Sequence, residues 1–489
     1  MIHLDRDICE RARLARDPRF DGLFFIGVKS TGIYCRPICP ARAPRPENIV
    51  YYPTAAAAAA AGLRPCLRCR PETAPGTPAW NGTSASVYRA MQLIRQGALN
   101  DGSVDQLADR LGISARHLRR LFRKHIGATP KAIADHQRLL FAKKLVMETD
   151  MPITQAALAS GYGSLRGFNA AFRKGVGRTP SQIRVGRSQS PPVVFSGVRC
   201  TLDLSYRPPY DWDRMLAFFR KRAIPGVEHV SAGSYRRTVR LGSSRGEIAV
   251  RHAAKGFGLK LEICLSDDHD LMVAVERVKR MFDLDANPRA IHLTLRRDPL
   301  LDGLIRQTPG LRLPGSWDPF ETAVRAVIGQ QVSIKGAVTQ MGRLVRQAGM
   351  PYDSADDVHL THFFPEPAAL ANMDWTEMGM PGARKATLRL LAEKVASGAL
   401  SLEGAAGLPA FVDAMTQIRG IGDWTANYTA MRALGEPDAF PASDLGILKA
   451  LQKGSNRPTA KQAVVQAENW RPWRAYGCIY LWHSLEEAG

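Results

Sequence analysis

Four of the chain's eight cysteines, Cys35, Cys39, Cys66 and Cys69, form a C-x3-C pair followed by a C-x2-C pair. Two close pairs separated by one short stretch suit four thiolates converging on one tetrahedral zinc ion, and this restricts the fold around them. The spacing leaves their use open: inert staples of a small segment, or a set that contains a nucleophile. The opening residues Met1–Arg6 are polar, and no run of about 18 apolar residues occurs, which predicts a cytoplasmic chain with no signal segment or membrane span. Disulfides are rare in such a compartment, so Cys9, Cys200, Cys264 and Cys478 are expected to be buried free thiols.

At 489 residues the chain is too long for one core, and at roughly 150 residues per domain it predicts roughly three domains. The net charge of +22 calls for a polyanionic partner. Residues 1–192 hold roughly 30 Lys/Arg against about 13 Asp/Glu, so most of the excess lies there, as phosphate binding through counterion release requires.

Pro71–Pro78 and Ser188–Pro192 read as linkers. The alanine run 55–61, preceded by Pro53-Thr54 and followed by Gly62, predicts a short capped helix that returns the second cysteine pair to the first. Between the linkers two similar units recur. In the first, Val104–Leu111 and Ala115–Lys124 read as helices around the turn Gly112-Ile113-Ser114, with Ser114 as N-cap. The second, Ile153–Lys174, turns at Gly161–Ser164 and places Phe168 and Phe172 in the core; Gly-x-Thr-Pro follows each unit, at Gly127–Pro130 and Gly177–Pro180.

Paired units of this kind resemble the AraC-type DNA-binding domain over about residues 86–187. The resemblance implies that the second helix of each unit enters a major groove of double-stranded DNA, with Arg116, His117 and Arg120, then Ser164, Arg166 and Asn169, facing bases.

Thr31–Cys39 followed by Arg64–Cys69 resembles the zinc-containing domain of the Ada family over about residues 1–75. That resemblance implies Zn2+ held by all four cysteines, with Cys35 accepting a methyl group irreversibly from a DNA methylphosphotriester. Arg36, Arg64 and Arg68 are expected to draw the phosphate backbone toward the sulfur. The chain departs from Ada downstream, where the Pro-Cys-His-Arg-Val segment of its alkylguanine methyltransferase domain does not occur.

In its place Met415–Tyr428 predicts two helices joined by Gly420-Ile421-Gly422, with both glycines expected at positive φ and the turn's amides facing a phosphate. Phe440-Pro441-Ala442-Ser443-Asp444 follows. Together with Arg207–Trp212, Gly310–Gly315, Ala326–Ser333 and Trp470–Tyr476, these segments resemble the AlkA family of helix-hairpin-helix alkylbase glycosylases over residues 193–489.

The resemblance implies that Asp444 stabilises an oxocarbenium-like sugar and orients water. It also implies that Trp424, Tyr428, Trp482 and Phe218 stack on a flipped, electron-poor base. Asp423, the rival carboxylate, is expected to serve the turn. Trp424 stands where lyase relatives carry a Schiff-base lysine, which predicts no lyase activity. The widely spaced Cys200, Cys264 and Cys478 exclude a four-cysteine iron-sulfur cluster. Gln331 stands at the family's apolar wedge and Leu445 replaces an aromatic, so lesion preference is open.

The expected architecture is multidomain and mostly α with α+β parts. It comprises a small α+β zinc domain (1–80), a double helix-turn-helix domain (86–187), an α+β domain (193–300) and an all-α helix-hairpin-helix glycosylase domain (301–489). The expected function is sensing of DNA methylation, activation of transcription with RNA polymerase as a further partner, and excision of alkylated bases by a nucleoid-associated protein. Two alternatives stay open: a regulator whose glycosylase domain only recognises damage, and a glycosylase that its N-terminal modules merely tether to DNA.

Overall fold

A computed structural model describes residues 5–75, 85–100, 102–184, 197–404, 407–452 and 454–487. It is about half helical, with two small sheets.

In the cysteine segment, β1 (Phe25–Val28) and β2 (Ile33–Cys35) form an antiparallel hairpin, β3 (Ile49–Tyr52) pairs with the other edge of β1, and β4 (Arg64–Pro65) runs parallel to β2. The alanine run forms the helix Ala55–Ala60, capped by Thr54, whose hydroxyl accepts from the Ala57 amide. This helix reverses the chain so that β4 reaches β2 in a register that pairs Tyr34 with Pro65. Cys35 and Cys66 each follow one of these paired residues and so emerge side by side.

The helix-turn-helix units are Val104–Arg110 with Ala115–His125 and Ile153–Ala159 with Leu165–Val176, joined by the long helix Pro130–Glu148. The repeated Gly-x-Thr-Pro now has a local explanation. Gly127 and Gly177 take left-handed φ of 79° and 81° at the ends of the second helices. Thr129 and Thr179 then cap the next helix from its N-terminal side, and the proline occupies the first turn, where no amide donor is needed.

β5 (Val198–Ser205), β6 (Glu228–Ser231), β7 (Ser234–Leu241), β8 (Ser244–His252) and β9 (Gly258–Leu265) form an antiparallel sheet in the order β5-β9-β8-β7-β6. The alternating runs Arg237–Leu241 and Leu259–Ile263 lie within β7 and β9. The core of this sheet is continuous with that of the second helix-turn-helix unit, Phe168 and Phe172 joining Leu202 and Leu261 in one cluster. The remaining chain is helical around a separate core that includes Trp470 and Tyr480.

Two expectations need correction. The first linker is partly structural: Pro71–Thr73 is a 3-10 turn packed on the helix Pro130–Glu148, where Glu72 and Lys143 pair at 2.5 Å with both side chains fully buried. The rest of that stretch beyond residue 75, and all of Ser188–Pro192, lie outside the described residues. Among the remaining cysteines, Cys9, Cys200 and Cys478 are buried free thiols as expected, whereas Cys264 is only half-buried near the end of β9.

Polar side chains cross between segments. Arg207, fully buried, donates to the carbonyls of Asp21 (2.7 Å) and Pro75 (3.1 Å) and to those of Asp285 (2.7 Å) and Ala286 (3.1 Å). It thereby fastens the cysteine segment to the C-terminal half.

Candidate functional sites: a thiolate cluster and an aromatic cleft

The Sγ atoms of Cys35, Cys39, Cys66 and Cys69 lie within 4.8 Å of one another. Sulfurs bound to zinc at ~2.3 Å stand about 3.8 Å apart in a tetrahedron, so the cluster fits this ion with small side-chain adjustments. The backbone amide of Arg36 points at Cys69 Sγ at 3.3 Å, a hydrogen bond that suits a thiolate. Packed this closely, the sulfurs do not titrate independently. Hydrogen bonds with the other three and burial push the Cys35 thiol up, while Cys39 is drawn down to about 7, chiefly by its bond with Cys35. The site binds Zn2+. Cys66 and Cys69 are buried, whereas Cys35 and Cys39 are half-exposed, so two of the four are open to a reagent from solvent.

Arg36 is not the phosphate attractor expected from its place beside Cys35. It is buried, paired with Asp21 through two nitrogens, and it donates to the Cys69 carbonyl at 3.1 Å. A charge next to a cysteine in sequence looks available; here it anchors the fold around the sulfurs. Arg64 and Arg68 are exposed. Tyr34, fully buried, places its hydroxyl 3.1 Å from Nε2 of His136 on the long helix.

On the second helices, Arg116, Arg120, Arg166 and Asn169 are exposed and His117 is half-buried, its Nδ1 3.0 Å from the Arg120 guanidinium. Ser114 caps its helix as expected. Ser164 does the same, accepting from the Gly167 amide at 3.2 Å, so its hydroxyl already has a structural partner.

In the C-terminal half, Asp423–Thr429 is helical and continues as a π-helical turn, Ala430–Leu434. Gly420 has φ +91°, and a Cβ there would meet Thr387 Oγ1 at 2.1 Å, so glycine is required twice over. Gly422 departs from expectation: its φ is −97°, and a Cβ would meet only open space. Asp423 serves the turn, accepting from Asn427 Nδ2 at 3.0 Å. Asn427 Oδ1 in turn accepts from the Phe440 amide at 3.2 Å, which fixes the loop leading to Asp444.

Asp444 is held by three donors. The indole of Trp424 donates to Oδ2 and that of Trp482 to Oδ1, both at 2.8 Å, and the Ile447 amide donates to Oδ1 at 3.0 Å as the carboxylate caps the helix Leu445–Ala450. Trp424 and Tyr428, four residues apart on one helix, stack 5.2 Å apart with 13° between planes, and Trp482 tilts toward Tyr428 at 6.2 Å. These three rings, Phe218 and Asp444 line one cleft of about 370 Å³, so the structure brings all five expected residues together.

Sequence reasoning missed three residues. Arg432 lies 4.4 Å from the Phe218 ring centroid, donates to the Tyr428 hydroxyl at 3.1 Å, and is pushed down to about 10 by burial. Asn427 had only its place in Thr-Ala-Asn-Tyr to mark it. Gln330 donates to the Gly420 carbonyl (3.0 Å) and Thr425 Oγ1 (2.9 Å), tying the Gln331 loop to the hairpin. Gln331 itself is exposed at φ +54°, a strained backbone between Gly329 and Val332 of the cleft lining.

Three family profiles match the chain: the metal binding domain of Ada at residues 8–72, a helix-turn-helix domain at 107–185, and the AlkA N-terminal domain at 201–318. The fold and cleft are those of a DNA glycosylase of the helix-hairpin-helix class, preceded by a zinc segment and paired helix-turn-helix units. The "probable bifunctional transcriptional activator/DNA repair enzyme AlkA" of Mycobacterium tuberculosis is 39% identical over 486 residues, covering 99% of this chain and 97% of that protein. The chain belongs to that family. "DNA-3-methyladenine glycosylase 2" of Escherichia coli is 32% identical over 284 residues, 58% of this chain and 96% of that one. A solved 3-methyladenine DNA-glycosylase from Archaeoglobus fulgidus matches in fold at TM-score 0.50 and 21% identity, covering 57% of this chain and 96% of its own.

Proposed function

We propose that the chain joins alkylation sensing to alkylation repair, in four parts: a zinc domain over 1–80, a DNA-binding domain over 86–187, an α+β domain over 193–300 and a glycosylase domain over 301–489. The observation that carries the repair activity is the carboxylate of Asp444, oriented by two indoles at 2.8 Å inside an aromatic cleft. A base methylated on a ring nitrogen, such as 3-methyladenine, leaves without much acid assistance. The protein's task is to extrude and stack it, and to place an anion near C1′ as the N-glycosidic bond breaks and water adds. Trp424, Tyr428, Trp482 and Phe218 supply the stacking surface, Gln331 enters the gap left by the base, and Gly420 and Gly422 seat the phosphate backbone. The enzyme acts as a monofunctional glycosylase, its cleft offering Trp424 where a lyase needs an amine.

At the other end, Cys35 accepts the methyl group: an S–C bond forms as the methyl–oxygen bond breaks, and the phosphodiester leaves as an anion. Zinc bound by the four sulfurs keeps them as thiolates at neutral pH. Conversion of one thiolate to a thioether removes a negative charge beside DNA, and DNA binding strengthens. Arg116, His117, Arg120, Arg166 and Asn169 face promoter bases, RNA polymerase is the downstream partner, and the protein works in the cytoplasm on the nucleoid.

Release of 3-methyladenine from alkylated duplex DNA by the native chain and by Asp444→Asn tests the repair reading. A loss of about 10²- to 10⁴-fold is expected; equal, background release by both would leave the cleft as a damage reader only. Mass spectrometry of Cys35 after exposure to methylphosphotriester DNA tests the sensor, since a mere tether gains no methyl group.

A further inference from the structure

A second set of metal-binding side chains lies away from both sites. His229 on β6 and Asp357 and His359 on the segment 351–362 place one donor atom each within 4.8 Å of one another. His229 Nδ1 is 2.6 Å from Asp357 Oδ2, and the rings of His229 and His359 are 4.2 Å apart between centroids. The Asp357 side chain is only 7% exposed, while His359 is exposed.

We propose that His229, Asp357 and His359 bind a divalent transition-metal ion of the zinc class. Two imidazoles and a carboxylate are the donors such ions prefer over Mg2+ or Ca2+, and three protein ligands leave a position for water. Donors bonded tetrahedrally at ~2.0–2.2 Å stand about 3.3–3.6 Å apart, so the 2.6 Å contact of His229 with Asp357 widens by roughly 1 Å on binding and a donor at the 4.8 Å limit closes by about as much, through side-chain rotation. Binding opens the His229–Asp357 contact: Nδ1 ligates as the unprotonated nitrogen of a neutral imidazole whose proton sits on Nε2, and Asp357 Oδ2 ligates beside it. Asp357 Oδ1 stays occupied by the His359 amide at 3.0 Å, which keeps Oδ2 aimed at the imidazoles. The nearest cations are engaged elsewhere: Arg199 pairs with Asp356 at 3.0 Å, and Arg236 donates to the Asp356 carbonyl at 3.4 Å.

The position gives such an ion a use. β6 is the edge strand of its sheet and follows the helix Trp212–Arg222, which carries Phe218. The segment 351–362 follows the helix Ile334–Ala348, which lines the same cleft through Ile334, Ala337, Val338 and Met341. An ion shared by His229, Asp357 and His359 clamps the ends of these two cleft walls together, about Gly226, whose carbonyl already accepts from Thr361 and His362.

The test is metal analysis of the full chain loaded with zinc and dialysed, repeated with cobalt. The native protein is expected to retain about two equivalents, and His359→Ala and His229→Ala about one. The intense sulfur-to-cobalt absorption of the four-cysteine site should persist in both variants, and circular dichroism checks their fold. One equivalent in the native chain, or a second equivalent that survives in both variants, overturns the proposal.

Discussion

The hydroxyl of Tyr34, one residue before Cys35, meets Nε2 of His136 at 3.1 Å across a fully buried interface. His136 belongs to the helix joining the two helix-turn-helix units, so this contact ties the segment that carries the sulfur cluster to that connecting helix. Tyr34→Phe should leave a buried imidazole nitrogen unpartnered and cost about 1–3 kcal/mol of stability. Methyl transfer to Cys35 should continue in this variant, while the gain in promoter affinity on methylation shrinks; fluorescence anisotropy with promoter DNA measures it.

The same imidazole predicts a pH dependence. Burial pushes both His136 and His292 down to about 4, below the ordinary value near 6.5. Above that ordinary value both are neutral whether folded or not. As pH falls toward 4 the unfolded chain takes up protons that the folded chain refuses, so stability declines across this window. Urea titrations at pH 7 and pH 5 should show it, and His136→Gln should reduce the difference, leaving the part that His292 contributes.

Trp482→Phe keeps an aromatic face in the cleft and removes one donor from Asp444. Hydrogen bonds to charged groups contribute about 1.5–3 kcal/mol, so single-turnover excision should slow roughly 10- to 100-fold with little change in DNA affinity. An unchanged rate would mean that Trp424 and the Ile447 amide suffice to orient the carboxylate.

Glu72→Gln should be far more costly than its place in a supposed linker suggests. It strips the buried Lys143 ammonium of its carboxylate, a loss of about 3–5 kcal/mol, visible as a lower Tm. Replacing both, Glu72→Leu with Lys143→Met, should recover most of it.

Gln330→Ala cuts the two hydrogen bonds between the Gln331 loop and the hairpin. Base extrusion from intact duplex should weaken, while binding to DNA that already contains an abasic gap should change little; 2-aminopurine fluorescence separates the two.

What the sequence revealed was local. Cysteine spacing, the helix-turn-helix pattern and the run from Gly420 to Asp444 are written in consecutive residues, and the family resemblance supplied their roles. What it concealed depends on partners far away in the chain. Arg36 reads as a free cation because its pairing with Asp21 and the Cys69 carbonyl exists only after β2 is placed. Gln330 reads as another polar loop residue until the hairpin closes over it. Gly422 misleads in the opposite way: glycine suggests an unusual φ, whereas the backbone there is ordinary and a Cβ would meet no protein atom.

Arg207 carries an implication for how such a chain can be divided or inherited. Two of the carbonyls that its guanidinium serves, those of Asp21 and Pro75, lie in the sensor, and two lie in the repair half. Splitting the gene between the helix-turn-helix units and β5 would leave this cation with only its Asp285 and Ala286 partners on one product and strip the Asp21 and Pro75 carbonyls of their donor on the other. Sensor and enzyme are thus bound to a common fate, and a lineage that separates them must rework this contact together with the core that Phe168 and Phe172 share with Leu202 and Leu261.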